Sequence, residues 1–328
     1  MNHSLTAKDF TSDQEVRWCP GCGDYAILKS VRSTLAEIGK PPHEVVIISG
    51  IGCAARFPYY VSSYGFHTIH GRAPAVATGV KLANPDLDVW VVGGDGDFLS
   101  IGGNHLIHTM RRNIDLNLLL INNAIYGLTK GQYSPTSGVG TRSPSTPGGS
   151  IDTPVNAALL ALGAGARFIA RSADTLLDHL PQVLKRAHAH NGASLVEIFQ
   201  NCIVYNDGVW AGMADKKTSA EHVVRVSHGE PLIFGKESEK GLVFDPVSGV
   251  LKLTGGNDPA VTIHDEKNWA LAAALVRMED ASLPTALGVL YCDPDSSYSE
   301  ALEQSNPYRA LTHDEFRALC LDGRSWSV

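Results

Sequence analysis

Three short apolar runs, each followed by a turn rich in glycine or asparagine, constrain the fold of this 328-residue chain more than any other feature. The runs are Val45–Ile48, Val89–Val92 and Asn117–Ile121. None of them alternates between apolar and polar residues, which is typical of strands buried on both faces of a sheet. Helical periodicity occurs before and between them, at Asp24–Ile38, Arg72–Ala83 and Leu99–Met110. Strands that alternate with crossover helices predict an α/β fold with a parallel sheet and helices on both faces.

The rest of the chain is less regular. Residues 131–151 are rich in Ser, Thr, Pro and Gly, which predicts a long loop. A further helix and strand are expected at Ala173–His190 and Ser194–Phe199. We predict that residues 1–215 form the domain that carries the ligand sites. Residues 216–328, with one helix near Trp269–Glu279, are expected to form a C-terminal extension that packs on the core or on a partner subunit.

Composition excludes several classes of function. The net charge of −7 leaves no basic surplus for binding nucleic acid. The N-terminal residues lack the basic and apolar regions of a signal peptide, and no apolar run reaches the ~20 residues that span a bilayer. A disulfide framework is not expected for six cysteines in a chain this long without an export signal. The sequence therefore predicts a cytoplasmic protein that is not bound to a membrane.

A phosphate and metal site is indicated at the ends of two strands. Asp95 follows a buried strand between Gly94 and Gly96, and Asn122-Asn123 ends the next one. Glycines let the backbone approach a phosphate, and carboxylate oxygens suit Mg²⁺. A Gly-Asp-Gly turn alone is common, but this pairing resembles the thiamine diphosphate motif. The motif implies Asp95, Asn123 and the carbonyl of Ile125 as Mg²⁺ ligands. A dinucleotide loop is disfavoured because the third glycine is missing.

Four cysteines form a second candidate site. Cys19 and Cys22 have the C-x-x-C spacing of a metal-binding pair, whereas Cys53 and Cys202 each lie just past a buried strand. Four thiolates fit either a [4Fe–4S] cluster or a structural zinc ion. Zinc sites generally use two close pairs of ligands, and only one close pair is present here. The alternative is four unrelated thiols. Cys292 and Cys320 are expected to be ordinary free thiols.

Several segments together resemble the β subunit of 2-oxoacid:ferredoxin oxidoreductases. The resemblance covers roughly residues 15–210 and is carried, in order, by Trp18–Asp24, Gly50–Cys53, Tyr64–Arg72, Gly93–Asp97, Asn122–Gln132 and Asn201–Cys202. It implies the thiamine diphosphate-binding fold, with thiamine diphosphate, Mg²⁺ and a [4Fe–4S] cluster as cofactors. It also implies that a 2-oxoacid and coenzyme A (CoA) are converted to acyl-CoA and CO₂, with electrons passed to ferredoxin.

The resemblance also implies roles for individual residues. Arg56 is expected to bind a substrate carboxylate and His70 to lie near the reactive ring. The alternatives are a surface or core-edge arginine and a structural histidine. Lys130 could reach a distal carboxylate, which favours 2-oxoglutarate over pyruvate. The cofactor contacts that it implies are Gly52, Cys53, His70, Gly94, Asp95, Gly96, Asp97, Asn123, Ile125, Tyr126, Gly127, Leu128 and Thr129.

The segment that carries the thiamine diphosphate motif lacks the glutamate that such enzymes use. Thiamine enzymes need a glutamate that activates the aminopyrimidine, yet no glutamate lies between Glu44 and Glu197. The family supplies it from an α subunit, or from a fused γα subunit, which implies an (αβ)₂ assembly. The alternatives are a pyruvate-specific member of the family, a non-oxidative thiamine-dependent decarboxylase or synthase, and a non-catalytic scaffold.

Overall fold

The computed structural model describes residues 4–214, 218–278, 282–305 and 311–323. These residues form eleven strands: β1 (Val45–Ser49), β2 (Tyr64–His67), β3 (Asp88–Gly94), β4 (Asn117–Asn122), β5 (Phe168–Ala173), β6 (Ser194–Phe199), β7 (Val223–Val226), β8 (Ile233–Phe234), β9 (Lys240–Asp245), β10 (Val250–Gly255) and β11 (Thr285–Cys292). They also form twelve helices: α1 (Asp24–Ile38), α2 (Phe57–Tyr60), α3 (Ala73–Ala83), α4 (Asp95–Leu99), α5 (Gly103–Arg112), α6 (Ala157–Gly163), α7 (Leu180–His188), α8 (Ala211–Ala214), α9 (Ser219–His222), α10 (Trp269–Val276), α11 (Tyr298–Ser305) and α12 (His313–Leu321).

Eight of the strands form one sheet, in the order β2-β1-β3-β4-β6-β5-β11-β7. Every pairing in it is parallel except that of β11 with β5. The predicted α/β fold with a parallel sheet is therefore confirmed. Because β1, β3, β4 and β6 run in the same direction, the turns that follow them lie along one edge of the sheet.

The unalternating apolar runs are explained by burial on both faces. In β1, Val46 and Ile48 pack into one core cluster, whereas Val45 and Ile47 pack into the cluster on the opposite face. Helices α3, α5, α6 and α10 cover the first cluster, and α1 and α7 cover the second. Each strand residue therefore needs an apolar side chain, which is why no period of two is visible in the sequence.

Two of the predicted helices differ from the observed ones. The helix expected at Leu99–Met110 begins only at Gly103, as α5, because the backbone leaves the helical region at Ser100, where α4 ends. The helix expected at Ala173–His190 begins only at Leu180, with a proline in its first turn. Its expected first residue, Ala173, is instead the last residue of β5. The sequence analysis did not predict β5, β2 or α6. The predicted loop is confirmed, since neither helix nor strand occurs between β4 and α6.

The C-terminal segment contributes to two sheets. Strands β7 and β11 join the main sheet beside β5, and β8, β9 and β10 form a small antiparallel sheet. The proposed domain boundary at residues 215 and 216 and the expected helix end at Glu279 lie outside the described residues. Contact of this segment with a partner subunit stays a prediction. None of the described helices combines the length and apolar character needed to cross a bilayer.

Candidate active site

A cavity of about 480 Å³ opens at the edge of the sheet where β1, β3 and β4 end. All thirteen residues to which the resemblance assigns cofactor contacts line this cofactor cavity. They are brought together because parallel strands deliver the loops that follow them to one edge. The chain segments involved are far apart in sequence, so the cavity depends on the whole sheet and on no single motif.

Asp95, the first residue of α4, is held at this cavity by the long loop after β4. Its Oδ2 accepts hydrogen bonds of 2.5 Å from the hydroxyls of Ser134 and Thr136. Burial raises the pKa of Asp95 to about 6, although these hydroxyls act in the opposite direction. Burial disfavours the ionised form of Asp95, and the two hydroxyls fix the direction of its carboxyl group. A cation bound here would stabilise the ionised form, so the site is suited to a metal ion.

The turn after β4 presents Asn123 and Ile125 beside Asp95. Asn123 Oδ1 accepts a hydrogen bond from the Ile125 backbone at 3.2 Å, and the intervening Ala124 has a φ of +52°. Such an Asx turn lets the amide side chain replace a backbone partner. Asn122 has a different task, because its Nδ2 donates to Glu197 Oε1 at 2.8 Å inside the sheet. Asn123 therefore lines the cavity, whereas Asn122 bonds to a buried side chain of the sheet.

Asp97, on α4, connects the loops that follow β1 and β2 at the wall of the cavity. Its Oδ1 accepts hydrogen bonds from the backbone of Ile51 at 3.0 Å and of Gly71 at 2.8 Å. The same oxygen lies 2.8 Å from Nδ1 of His70, which lines the cavity. Burial raises the pKa of Asp97, whereas these contacts lower it. Asp97 therefore positions the loop that carries His70, and its carboxylate lies against the His70 ring.

Gly50 is expected to tolerate no side chain, because a Cβ there would lie 1.9 Å from Asp97 Oδ2. We expect Gly50→Ala to destabilise the chain by ~1–3 kcal/mol through overpacking and to lower its thermal unfolding temperature. Gly79→Ala is the matched control, since nothing lies within 4 Å of a Cβ at that position in α3 and alanine favours a helix. Equal unfolding temperatures for the two variants would contradict this account.

The four cysteines of the second candidate site meet in a neighbouring cavity. Cys19, Cys22, Cys53 and Cys202 line this cysteine cavity of about 190 Å³. A Cβ added to Gly127 would lie 3.6 Å from the sulfurs of both Cys53 and Cys202. None of the four forms a disulfide. Among the described residues, no group of three or more His, Cys, Asp or Glu side chains is close enough to hold a single metal ion.

The cysteine cavity disfavours free thiolates. Burial raises the pKa of Cys53 to about 12 and raises that of Cys22 as well, and the charge of Asp24 acts in the same direction. Burial also raises the pKa of Asp24 itself to about 7. A metal centre would supply the positive charge that ionised thiolates need here. Four cysteine side chains around one cavity form the all-thiolate donor set that both iron–sulfur clusters and zinc ions use.

The two cavities share part of their lining. Cys53, Asn123, Gly127 and Leu128 line both of them. Two segments therefore form a common wall: the residues just after β1 and the turn after β4. Any group bound in the cofactor cavity would be separated from one bound by the cysteines by little more than these side chains.

Comparison with known proteins gives consistent results. Residues 43–198 match the thiamine pyrophosphate enzyme C-terminal TPP binding domain. The chain is 52% identical over 298 residues to 2-oxoglutarate oxidoreductase subunit KorB of Mycobacterium tuberculosis, covering 90% of this chain and 80% of that protein. It is 38% identical over 322 residues to 2-oxoacid:ferredoxin oxidoreductase 2, subunit beta, of Aeropyrum pernix, covering 96% of this chain and 93% of the relative.

The chain belongs to the family of 2-oxoacid:ferredoxin oxidoreductase β subunits. The resemblance identified from the motifs is thereby confirmed, and the chain is a subunit of an oxidoreductase that has a thiamine diphosphate-binding domain. A β subunit implies an α partner. The fold also matches a solved 2-oxoglutarate:ferredoxin oxidoreductase from Magnetococcus marinus with 2-oxoglutarate, coenzyme A and succinyl-CoA bound. The TM-score is 0.77 and the identity 33%, with 96% of each chain covered.

The two basic residues to which the resemblance assigns substrate binding both lie at the cysteine cavity. Arg56 and Lys130 line the cysteine cavity of this β subunit and not the cofactor cavity. Arg56 Nη1 donates to the backbone oxygen of Arg17 at 2.8 Å, and Lys130 is exposed in a turn with a φ of +77°. Of the three proposed catalytic residues, only His70 lines the cofactor cavity. The roles of Arg56 and Lys130 in substrate binding stay predictions.

Several contributing residues carried no signal that the sequence analysis used. Ser134 and Thr136 lie in a loop whose composition marks it only as irregular, yet both bond to Asp95. Gln200 directly precedes the Asn201-Cys202 motif and contacts side chains of both cavities. Its position next to Asn201-Cys202, the last motif of the resemblance, is the one sequence feature that could have indicated a role for Gln200.

Proposed function

We propose that this chain is the β subunit of a 2-oxoglutarate:ferredoxin oxidoreductase, which converts 2-oxoglutarate and CoA to succinyl-CoA and CO₂ and reduces two ferredoxins. The observation that carries the proposal is the wall shared by the cofactor cavity and the cysteine cavity. Oxidation of a two-electron intermediate by a one-electron carrier requires an electron acceptor beside the site of carbon chemistry. The names of several relatives support 2-oxoglutarate as the substrate.

In this proposal, Asp95, Asn123 and the Ile125 carbonyl would hold Mg²⁺, and the cation would supply the positive charge that a diphosphate needs. Their oxygen atoms are the hard ligands that Mg²⁺ prefers. Thiamine diphosphate, when bound, supplies a carbanion and an electron sink for decarboxylation. His70 lies beside Asp97 and lines the cofactor cavity, where its ring can donate or accept a proton. Cys19, Cys22, Cys53 and Cys202 would ligate a [4Fe–4S] cluster.

We also propose that the activating glutamate comes from the α subunit. No glutamate is among the described residues that line the cofactor cavity. The two carboxylate oxygens of Glu197, on β6, accept hydrogen bonds from Asn122 and Arg171. Exposed apolar side chains near the motif loops, including Ile69 at 73% and Ile101 at 52% exposure, offer a surface for such a partner. An (αβ)₂ assembly and a cytoplasmic location are proposed on the same family basis.

The test is ferredoxin-coupled turnover by the co-expressed α and β chains, purified without oxygen. We expect CoA-dependent ferredoxin reduction with 2-oxoglutarate to exceed that with pyruvate, and about four irons per β chain. Faster turnover of pyruvate would favour a pyruvate-specific enzyme. Aldehyde release without ferredoxin would favour a non-oxidative decarboxylase. A colourless protein with one zinc per chain would contradict the proposed electron transfer.

A further inference from the structure

Gln200 lines the cysteine cavity and bonds to Asn123, which lines both cavities. It directly follows β6, its side chain is 1% exposed, and its backbone N–H donates to the Asn122 carbonyl at 2.9 Å. The side chain lines the cysteine cavity. Buried amide groups need hydrogen-bond partners on both their oxygen and their nitrogen. The partners of Gln200 come from the two different sites.

On one side, Gln200 Oε1 accepts a hydrogen bond of 2.9 Å from Nδ2 of Asn123. On the other, Gln200 Nε2 donates to the sulfur of Cys22 at 3.4 Å and to the backbone oxygen of Asn201. These hydrogen bonds assign the same oxygen and nitrogen positions to the amides of Asn123 and Gln200. Asn123 Oδ1 already accepts from the Ile125 backbone, so Asn123 offers its nitrogen to Gln200. Gln200 must then present its oxygen to Asn123 and its nitrogen to Cys22.

The backbone around Gln200 leaves the amide little freedom. A Cβ on Gly23 would lie 2.9 Å from Gln200 Cγ, so the segment after Cys22 packs directly against the glutamine side chain. Asp174 fixes the next residue, because its Oδ2 accepts a hydrogen bond from the Asn201 backbone at 2.8 Å. Close packing and an anchored backbone together hold the side chain in the one orientation that reaches both partners.

We propose that Gln200 is a positioning residue that couples the thiamine site to the cluster site. Its oxygen fixes the Asn123 amide, so that Asn123 Oδ1 stays directed for the metal. Its N–H bond to the Cys22 sulfur stabilises the more negative, reduced form of the cluster and so raises the reduction potential. One side chain thereby sets both the geometry of cofactor binding and the readiness of the first electron acceptor.

This inference rests on the proposed function, since it assumes that Cys22 ligates a cluster. The test uses the holo αβ complex with two variants. Gln200→Met has a similar volume but removes both hydrogen bonds. Gln200→Glu keeps an oxygen for Asn123 and loses the donor to Cys22. The two measurements are the reduction potential, followed by electron paramagnetic resonance, and the affinity of the cofactor-depleted complex for thiamine diphosphate with Mg²⁺. Gln182→Met, at an exposed position on α7, is the matched control.

We expect Gln200→Met to lower the equilibrium constant for cluster reduction about tenfold, a shift of ~59 mV for one electron, and to weaken cofactor binding about tenfold. Gln200→Glu should lower the potential at least as far while leaving cofactor affinity within about threefold of the parent. Gln182→Met should change neither. A purely structural role would move both measurements together in both variants.

The failures of this inference and of the proposed function are distinguishable. Wild-type complex that contains no iron would overturn both. Wild-type complex with a full complement of iron, combined with an unchanged potential in iron-replete Gln200 variants, would overturn the coupling alone. If Gln200→Met loses its cluster, Gln200→Glu decides the matter: an unchanged potential or a tenfold loss of cofactor affinity in that variant contradicts the role of Gln200.

Discussion

Replacement of Asp95 by asparagine is expected to weaken binding of thiamine diphosphate with Mg²⁺ by ~100-fold or more. The amide can still accept the hydroxyl hydrogen bonds of Ser134 and Thr136, so the local structure should persist. The negative charge that attracts the cation is lost, and second-sphere changes alone commonly reduce metal affinity 10–100-fold. Isothermal titration of the cofactor-depleted complex with thiamine diphosphate and Mg²⁺ measures the loss.

The same substitution is expected to stabilise the cofactor-free protein. The pKa of Asp95 in the folded chain, about 6, lies above its ordinary value of 3.8, so the folded state binds the proton more tightly than the unfolded state. Stability therefore falls as the pH rises from 3.8 to 6, and at pH 7 the buried carboxylate costs up to ~3 kcal/mol. Urea unfolding at pH 7 should show Asp95→Asn to be more stable than the parent.

Asp86→Asn serves as the control for Asp95→Asn, because Asp86 is an exposed aspartate before β3. It should change neither cofactor affinity nor the free energy of unfolding measurably. If Asp95→Asn bound the cofactor within threefold of the parent, Asp95 would not be a ligand of the cation. If it also destabilised the cofactor-free chain, burial would not be what raises the pKa of Asp95.

Removal of Arg171 is expected to have the largest effect on stability. Arg171 and Glu197 face each other on β5 and β6, with Nε and Oε2 2.8 Å apart and side chains only 9% and 3% exposed. Glu197 Oε1 also accepts the hydrogen bond from Asn122. Arg171→Met would leave this carboxylate buried without a counter-charge, which typically costs 3–5 kcal/mol. Chemical denaturation of the β chain measures the difference.

Two comparisons make the Arg171 result interpretable. The double variant Arg171→Met/Glu197→Leu removes both charges and should recover most of the lost stability. Arg225→Met breaks the exposed pair with Asp178, whose side chains are 52% and 72% exposed, and should cost less than about 1 kcal/mol. A double variant as unstable as Arg171→Met would show that lost packing, rather than the unpaired charge, dominates.

Local sequence was sufficient to place the residues at strand ends. The predominantly apolar runs before Asp95, Asn123, Cys53 and Cys202 predict buried strands, and parallel pairing determines that their loops share an edge. The sequence also indicated the C-x-x-C pair and the long loop. These features depend on periodicity and turn residues, which act over a few positions.

Contacts between distant segments could not be predicted in the same way. Thr136 lies in an irregular loop and contacts Asp95. Gln200 follows β6 and contacts Cys22, which lies 178 residues earlier in the chain. Nothing in their neighbourhoods specifies these partners, because tertiary packing selects them. The same limitation explains β5, where residues 168–173 were not recognised as a strand until their pairing with β6 and β11 was seen.

The strand order has a consequence for the biogenesis of this subunit. Cys19 and Cys22 precede β1, whereas Cys202 follows β6, so the fourth thiol leaves the ribosome long after the first three. The four can meet only when β1, β3, β4 and β6 have paired, and such non-local pairings form slowly. If the four thiols ligate the proposed cluster, its assembly is expected to follow folding of the sheet, unlike in small zinc domains, where the metal drives folding. Maturation factors would act on an already folded chain.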